Sequence, residues 1–258
     1  MCFDLDSRPP IPPIAGGAID TEEIVLRAGD GARFAGLLAR AEQPGGASII
    51  VLPDVRGLHP YYEELALRFA EVGADALAID YFGRTAGIGV RERSTDFDFM
   101  THVGETRFSN LSWDVQAAAD RLRGLGPGRG RAVFTIGFCF GGRLSFLANT
   151  LGLGLAGAIG FYGWPVGARG DIPAPADSTG LMTAPILAIF GGADRAIPPD
   201  DVETFDDALA ATGIPHEVMS YPGAPHSFFD RKAEEFADTS SDAWERVLAF
   251  VRTNTLPA

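Results

Sequence analysis

Three residues in this chain are of the types that together perform acyl transfer: Cys139, Asp194 and His226. A thiolate attacks a carbonyl carbon, an imidazole takes and returns the proton, and a carboxylate fixes the imidazole tautomer. Cys139 lies in Gly137-Phe138-Cys139-Phe140-Gly141-Gly142, the G-x-nucleophile-x-G outline of a nucleophile elbow. An apolar, partly β-branched run, Ala132 to Ile136, leads into it, and a helix-like segment, Arg143 to Asn149, leads away. Side chains at Gly137 or Gly141 would collide with neighbouring elements in such a strained turn. The following helix points its N-terminus at the sulfur, favouring the thiolate and any oxyanion formed beside it. A structural cysteine buried in a tight turn would leave the same octapeptide. The rest of the chain has to decide.

Phe190-Gly191-Gly192-Ala193-Asp194 carries a carboxylate just past one apolar run. Tyr221-Pro222-Gly223-Ala224-Pro225-His226 carries an imidazole just past another. Singly, each is a weak signal, since an aspartate beside glycine is usually a turn former. Together they follow Cys139 in the order nucleophile, acid, histidine, each at a strand end, which is the order of the α/β-hydrolases. The remaining histidines are weaker candidates. His216 opens a strand, His102 sits in an irregular stretch, and His59, in Arg56-Gly57-Leu58-His59-Pro60, could line a pocket. No H-E-x-x-H, paired cysteines or clustered histidines suggest a metal, and no P-loop lysine suggests a nucleotide. No metal and no cofactor are expected.

These residues need a scaffold that presents strand ends. Glu23 to Leu26 and Phe34 to Ala39 flank Gly29-Asp30-Gly31 and read as a hairpin. Ala47 to Leu52 is continuously apolar, as for a strand buried on both faces. Strands at 76–79, 132–136, 156–161, 185–190 and 217–221 then alternate with helices at 61–72, 113–122, 143–149, 200–211 and 241–251. The polar stretch Arg91 to Asn110 lacks clean periodicity and is long for a connection, so it is expected to cap or border a pocket. The glycine run from Gly124 to Gly130 precedes a strand instead of following one, and reads as a loop. Repeated βαβ units imply a mostly parallel sheet with helices on both faces. No linker divides the chain. Residues 21–258 form one α/β domain, and residues 1–20 an N-terminal arm, extended because Ser7 to Gly17 holds four prolines and two glycines.

The net charge of −13 argues against nucleic acid or an anionic membrane as partner. A small molecule is the expected partner, and local arginines could still hold an anionic one. The two cysteines, Cys2 and Cys139, give no disulfide framework, which fits a reducing compartment. The first residues lack a basic start and apolar core, and no apolar run reaches membrane-span length, so a cytoplasmic monomer or small homo-oligomer is expected.

The cysteine elbow, Gly191-Gly192-Ala193-Asp194 and Gly223-Ala224-Pro225-His226-Ser227-Phe228 together resemble the dienelactone hydrolase family, from about Thr21 to the C-terminus. The resemblance implies a single-domain α/β-hydrolase with Cys139 as nucleophile, His226 as base and Asp194 as its orienting acid. It implies oxyanion donors at the backbone amides of Phe140 and Val55. The family glutamate that holds the resting thiol falls at Asp54, one methylene shorter. Two family arginines bind the substrate carboxylate. Arg84, in Tyr81-Phe82-Gly83-Arg84, matches the first. The second falls four residues after the histidine, where this chain has Asp230, with Arg231 next to it; Arg56 is a possible substitute. The implied activity is hydrolysis of a small lactone or activated ester through a thioester. A thioesterase or acyltransferase on the same triad, and a non-catalytic relative that only binds a small molecule, are the alternatives. A redox sensor would need a resolving cysteine, and Cys2 is the one available.

Overall fold

The computed structural model describes residues 6–14, 20–93 and 96–255. Cys2 and parts of the arm therefore lie outside the described residues. A single eight-stranded sheet organises the rest, in the order β1-β2-β4-β3-β5-β6-β7-β8. β1 (Asp20–Arg27) and β2 (Arg33–Arg40) form the expected hairpin, and β2 lies antiparallel on β4 (Asp75–Ile79). From β3 (Ala47–Leu52) through β5 (Ala132–Phe138), β6 (Gly157–Phe161) and β7 (Ile186–Gly191) to β8 (His216–Tyr221) the pairing is parallel. Every residue of β3, β4, β5, β6 and β7 is buried, which explains why their sequences run apolar without alternation.

Both faces of the sheet are covered. α1 (Pro60–Glu71) and α7 (Ala237–Asn254) contribute Leu65, Phe69, Trp244 and Val247 to one core. α4 (Phe108–Arg123) contributes Leu111, Val115 and Leu122 to the other. α5 (Phe140–Ala148) serves both, with Phe146 on one side and Leu144 and Leu147 on the other. α6 (Pro199–Thr212) packs Phe205 on Phe146, ring centroids 5.0 Å apart. Among the described residues, no helix is long and apolar enough to cross a membrane.

The stretch Arg91–Asn110 holds more structure than its pattern suggests. A short α2 (Gly83–Ala86) and a 3-10 turn (Val90–Glu92) precede α3 (Phe99–Glu105), and α4 starts at Phe108, five residues before the expected Trp113. Asp98 caps α3, accepting hydrogen bonds from the Thr101 amide at 3.3 Å and hydroxyl at 2.7 Å. His102 belongs to this packing, stacked on Phe97 and 2.9 Å from the Thr85 hydroxyl. Arg93 ties the stretch to Asp80, the fully buried residue that follows β4.

The strand order locates the ligand crevice. From β3 the chain goes one way to β4 and then the other way to β5, so the order reverses between β3 and β5. Ligands of open α/β sheets bind outside the strand carboxyl ends at such a reversal. Leu52, last in β3, is in register with Gly137, two residues before Cys139.

Candidate active site

Cys139 sits between β5 and α5 with φ 54° and ψ −114°, in the region that L-residues avoid. Its amide donates to the Phe161 carbonyl at 3.0 Å, and its carbonyl accepts from the Arg143 amide at 3.2 Å. The turn is closed by backbone approaches that only glycine allows. A Cβ on Gly137 would lie 1.9 Å from the Gly141 carbonyl oxygen. One on Gly141 would lie 2.1 Å from the Leu52 oxygen and 2.2 Å from the Pro53 oxygen. The start of α5 is thus pressed onto the end of β3. Phe140 and Val55, the two residues whose amides are expected to bind an oxyanion, belong to those two abutting segments.

Asp194 and His226 arrive from the ends of β7 and β8. The Asp194 carboxylate is held on one oxygen by the amides of Ala196 at 2.8 Å and Ile197 at 3.3 Å. Its other oxygen accepts from His226 Nδ1 at 2.5 Å. Asp194 is buried and the His226 side chain is 12% exposed, so the ring keeps an edge toward solvent while its partner does not. That hydrogen bond puts the proton on Nδ1 and leaves Nε2 as the basic nitrogen. Three non-glycine residues among those described have positive φ: Cys139, Tyr162 at 38° and Ser227 at 59°. One is the elbow, one follows β6, and one follows His226. Such strain collects at functional sites.

The charged residues expected around this centre are placed differently. Asp54 is buried and occupied by Arg56, whose amide and Nε both donate to Asp54 Oδ1, at 2.9 and 3.0 Å. Arg56 is itself buried and also reaches Asp230, the Tyr62 hydroxyl and Ser7 Oγ. Burial pushes the Asp230 carboxyl above the ordinary carboxylate range, against the pull of Arg56. Arg56 is therefore a tie between the end of β3, the segment after His226 and the arm. Arg84 is likewise engaged, bonded to Asp30 at 2.5 Å, to Asp114 at 2.8 Å and to the Asn110 carbonyl. It fastens the β1–β2 turn to α4. His59 caps α1 by accepting from the Tyr61 amide, and His216 pairs with Asp206. Among the described residues, no group of His, Cys, Asp and Glu could hold a metal ion.

Other side chains close the site and were not singled out in the sequence. Tyr162 and Trp164, just past β6, flank His226 with ring centroids at 4.9 and 5.2 Å. Burial raises the Tyr162 hydroxyl well above the usual phenol range, so it remains protonated. Trp164 Nε1 donates to the Ala196 carbonyl at 2.9 Å, tying this wall to the loop that holds Asp194. The strand end carrying Tyr162-Gly163-Trp164 was the available signal.

A doubly covered, mostly parallel sheet, a strained cysteine elbow at the order reversal and a buried Asp–His pair at the last strand ends define an α/β-hydrolase fold. Residues 34–255 match the model of the dienelactone hydrolase family, and the chain belongs to that family and is a carboxylic ester hydrolase. It is 30% identical to a "Putative carboxymethylenebutenolidase" of Synechocystis sp., covering 86% of this chain and 92% of that one. A protein of the same description from Escherichia coli (strain K12) is 28% identical, covering 95% and 93%. The crystal structure of a "Putative Dienelactone Hydrolase" from Klebsiella pneumoniae superposes with a TM-score of 0.78 at 28% identity, covering 91% of this chain and 99% of that one.

Proposed function

We propose that the protein hydrolyses a small lactone or activated ester through a Cys139–His226–Asp194 triad and a thioester intermediate. His226 Nε2 takes the thiol proton, and the thiolate attacks the carbonyl carbon. The amides of Phe140 and Val55 then stabilise the tetrahedral oxyanion, one such donor being worth on the order of 3 kcal/mol. The imidazolium, oriented by Asp194, returns the proton to the leaving oxygen. Water, activated by the same imidazole, attacks the thioester and frees the acid and the thiol. The observation that carries this reading is the 2.5 Å hydrogen bond from His226 to a buried Asp194, beside an elbow that holds Cys139 at positive φ. The names of the relatives point to lactones of the carboxymethylenebutenolide kind.

Iodoacetamide tests it. The reagent should abolish turnover of p-nitrophenyl acetate in proportion to alkylation of Cys139, ahead of Cys2. Alkylation of Cys139 with turnover intact would remove the thiol from the mechanism.

A further inference from the structure

Arg56 and Arg84 are both neutralised by internal carboxylates, so neither presents its charge to a ligand. A different basic group reaches the indole that flanks the imidazole. The loop after β6, residues 164–173, is clamped by Arg143, a buried guanidinium one turn into α5. It donates to the carbonyls of Trp164, Val166, Gly167, Ile172 and Pro173, with the shortest contact at 2.6 Å. These carbonyls are neutral, so the positive charge of Arg143 is not cancelled by a carboxylate. Within the clamped loop, the Arg169 guanidinium lies over the Trp164 ring, 4.8 Å from its centroid, and the same indole lies against His226. Among the described residues Arg169 has no carboxylate partner. Asp171, two residues on, is taken by the Phe108 amide at 3.1 Å and faces Arg107 at 3.9 Å. Burial, and then the nearby charge of Arg169, lower the Arg143 pKa to about 10, so the two guanidiniums sense each other. In a chain of net charge −13, Arg143 and Arg169 are two cations without a carboxylate partner among the described residues.

We infer that Arg169, held on Trp164 by the Arg143-clamped loop, receives a carboxylate carried by the substrate and makes this loop the specificity element of the site. The inference rests on the acyl-transfer reading of Cys139 and His226. A guanidinium stacked on an aromatic face still has donors for a bidentate carboxylate, and its orientation is already restricted. Arg195, next to Asp194, is the neighbouring alternative; among the described residues no ring or carboxylate orients it.

Two esters separate these possibilities. One is neutral p-nitrophenyl acetate. The other is the mono-p-nitrophenyl ester of glutaric acid, which places a free carboxylate a few bonds from the scissile carbonyl. The ratio of their kcat/KM values is the readout. Arg169→Gln should lower the preference for the anionic ester about tenfold, chiefly through KM, and Arg169→Lys should restore part of it. Arg195→Gln should leave the ratio at its wild-type value. An unchanged ratio in Arg169→Gln, equal losses on both esters, or a drop in Arg195→Gln instead would overturn the assignment. Failure of the wild type to turn over either ester would instead overturn the acyl-transfer reading, and this inference with it.

Discussion

Replacing Gly141 by alanine tests the pressing of α5 onto β3 with one methyl group. The added Cβ would lie 2.1 Å from the Leu52 oxygen and 2.2 Å from the Pro53 oxygen, both backbone atoms, where real Cβ atoms stay beyond 3.0 Å. The two segments must therefore part by about 1 Å, a misplacement that costs on the order of 100-fold in rate when it separates catalytic groups. The proposed oxyanion donors, Phe140 and Val55, sit one on each side of that contact. The loss should fall on kcat with KM little changed, because the oxyanion exists only after attack. Overpacking should also lower stability by about 1–3 kcal/mol, leaving a folded protein to assay. Gly104, where an added Cβ meets nothing within 4 Å, supplies the control: Gly104→Ala should keep both rate and melting temperature. Steady-state hydrolysis of p-nitrophenyl acetate and a thermal melt give both quantities. A folded Gly141→Ala enzyme with kcat within about threefold of wild type would refute the geometry or the role of the two amides.

Cys139→Ala and His226→Ala should each remove nearly all turnover, and the double variant should be no worse than either alone, since the two act as a unit; additive losses would show two separate roles. Asp194→Asn should lower kcat less than either, and an unchanged kcat would mean that another group orients His226. Arg143→Met takes the donor away from five carbonyls of the loop 164–173, so it should lower stability by about 1–3 kcal/mol, read from chemical denaturation. Asp114 carries a pH signature. Burial, partly offset by Arg84, raises its pKa to about 7 from 3.8. Because the folded value is the higher one, its stabilising contribution is complete below about pH 4 and is lost as pH rises to about 7. Asp114→Asn should therefore gain stability relative to wild type between pH 5 and pH 8, on the order of a few kcal/mol, and a difference flat with pH would contradict the shift.

The sequence carried those parts of the fold that depend on local pattern. β3, β5 and β7 are unbroken apolar runs because both faces of each are covered, and the glycines at 137 and 141 mark backbone contacts that no other residue permits. The placement of Cys139, Asp194 and His226 just past the ends of β5, β7 and β8 was legible from the apolar runs that precede them. The start of α4 was not, because Arg107 at its N-cap makes no side-chain capping bond and α3 just before it is a half-exposed seven-residue helix. The carboxylate partners of the arginines were not legible, for a tertiary reason. Arg56 meets Asp230 across 174 residues and Arg84 meets Asp30 across 54, and nothing local in either segment announces the pairing. Arg143 follows two glycines in a short helix, and nothing in that segment marks it as buried, yet it is 1% exposed. A loop of carbonyls folded around a guanidinium leaves no mark in composition or period.

The central claim is that Cys139 carries the acyl group. Wild-type protein mixed with p-nitrophenyl acetate, quenched in acid during the burst and digested, can be mapped by mass spectrometry for the acetylated residue. The account predicts acetyl on the peptide containing Cys139, and none there in Cys139→Ala. Acetyl on a serine or on His226, or full turnover by Cys139→Ala, would contradict it.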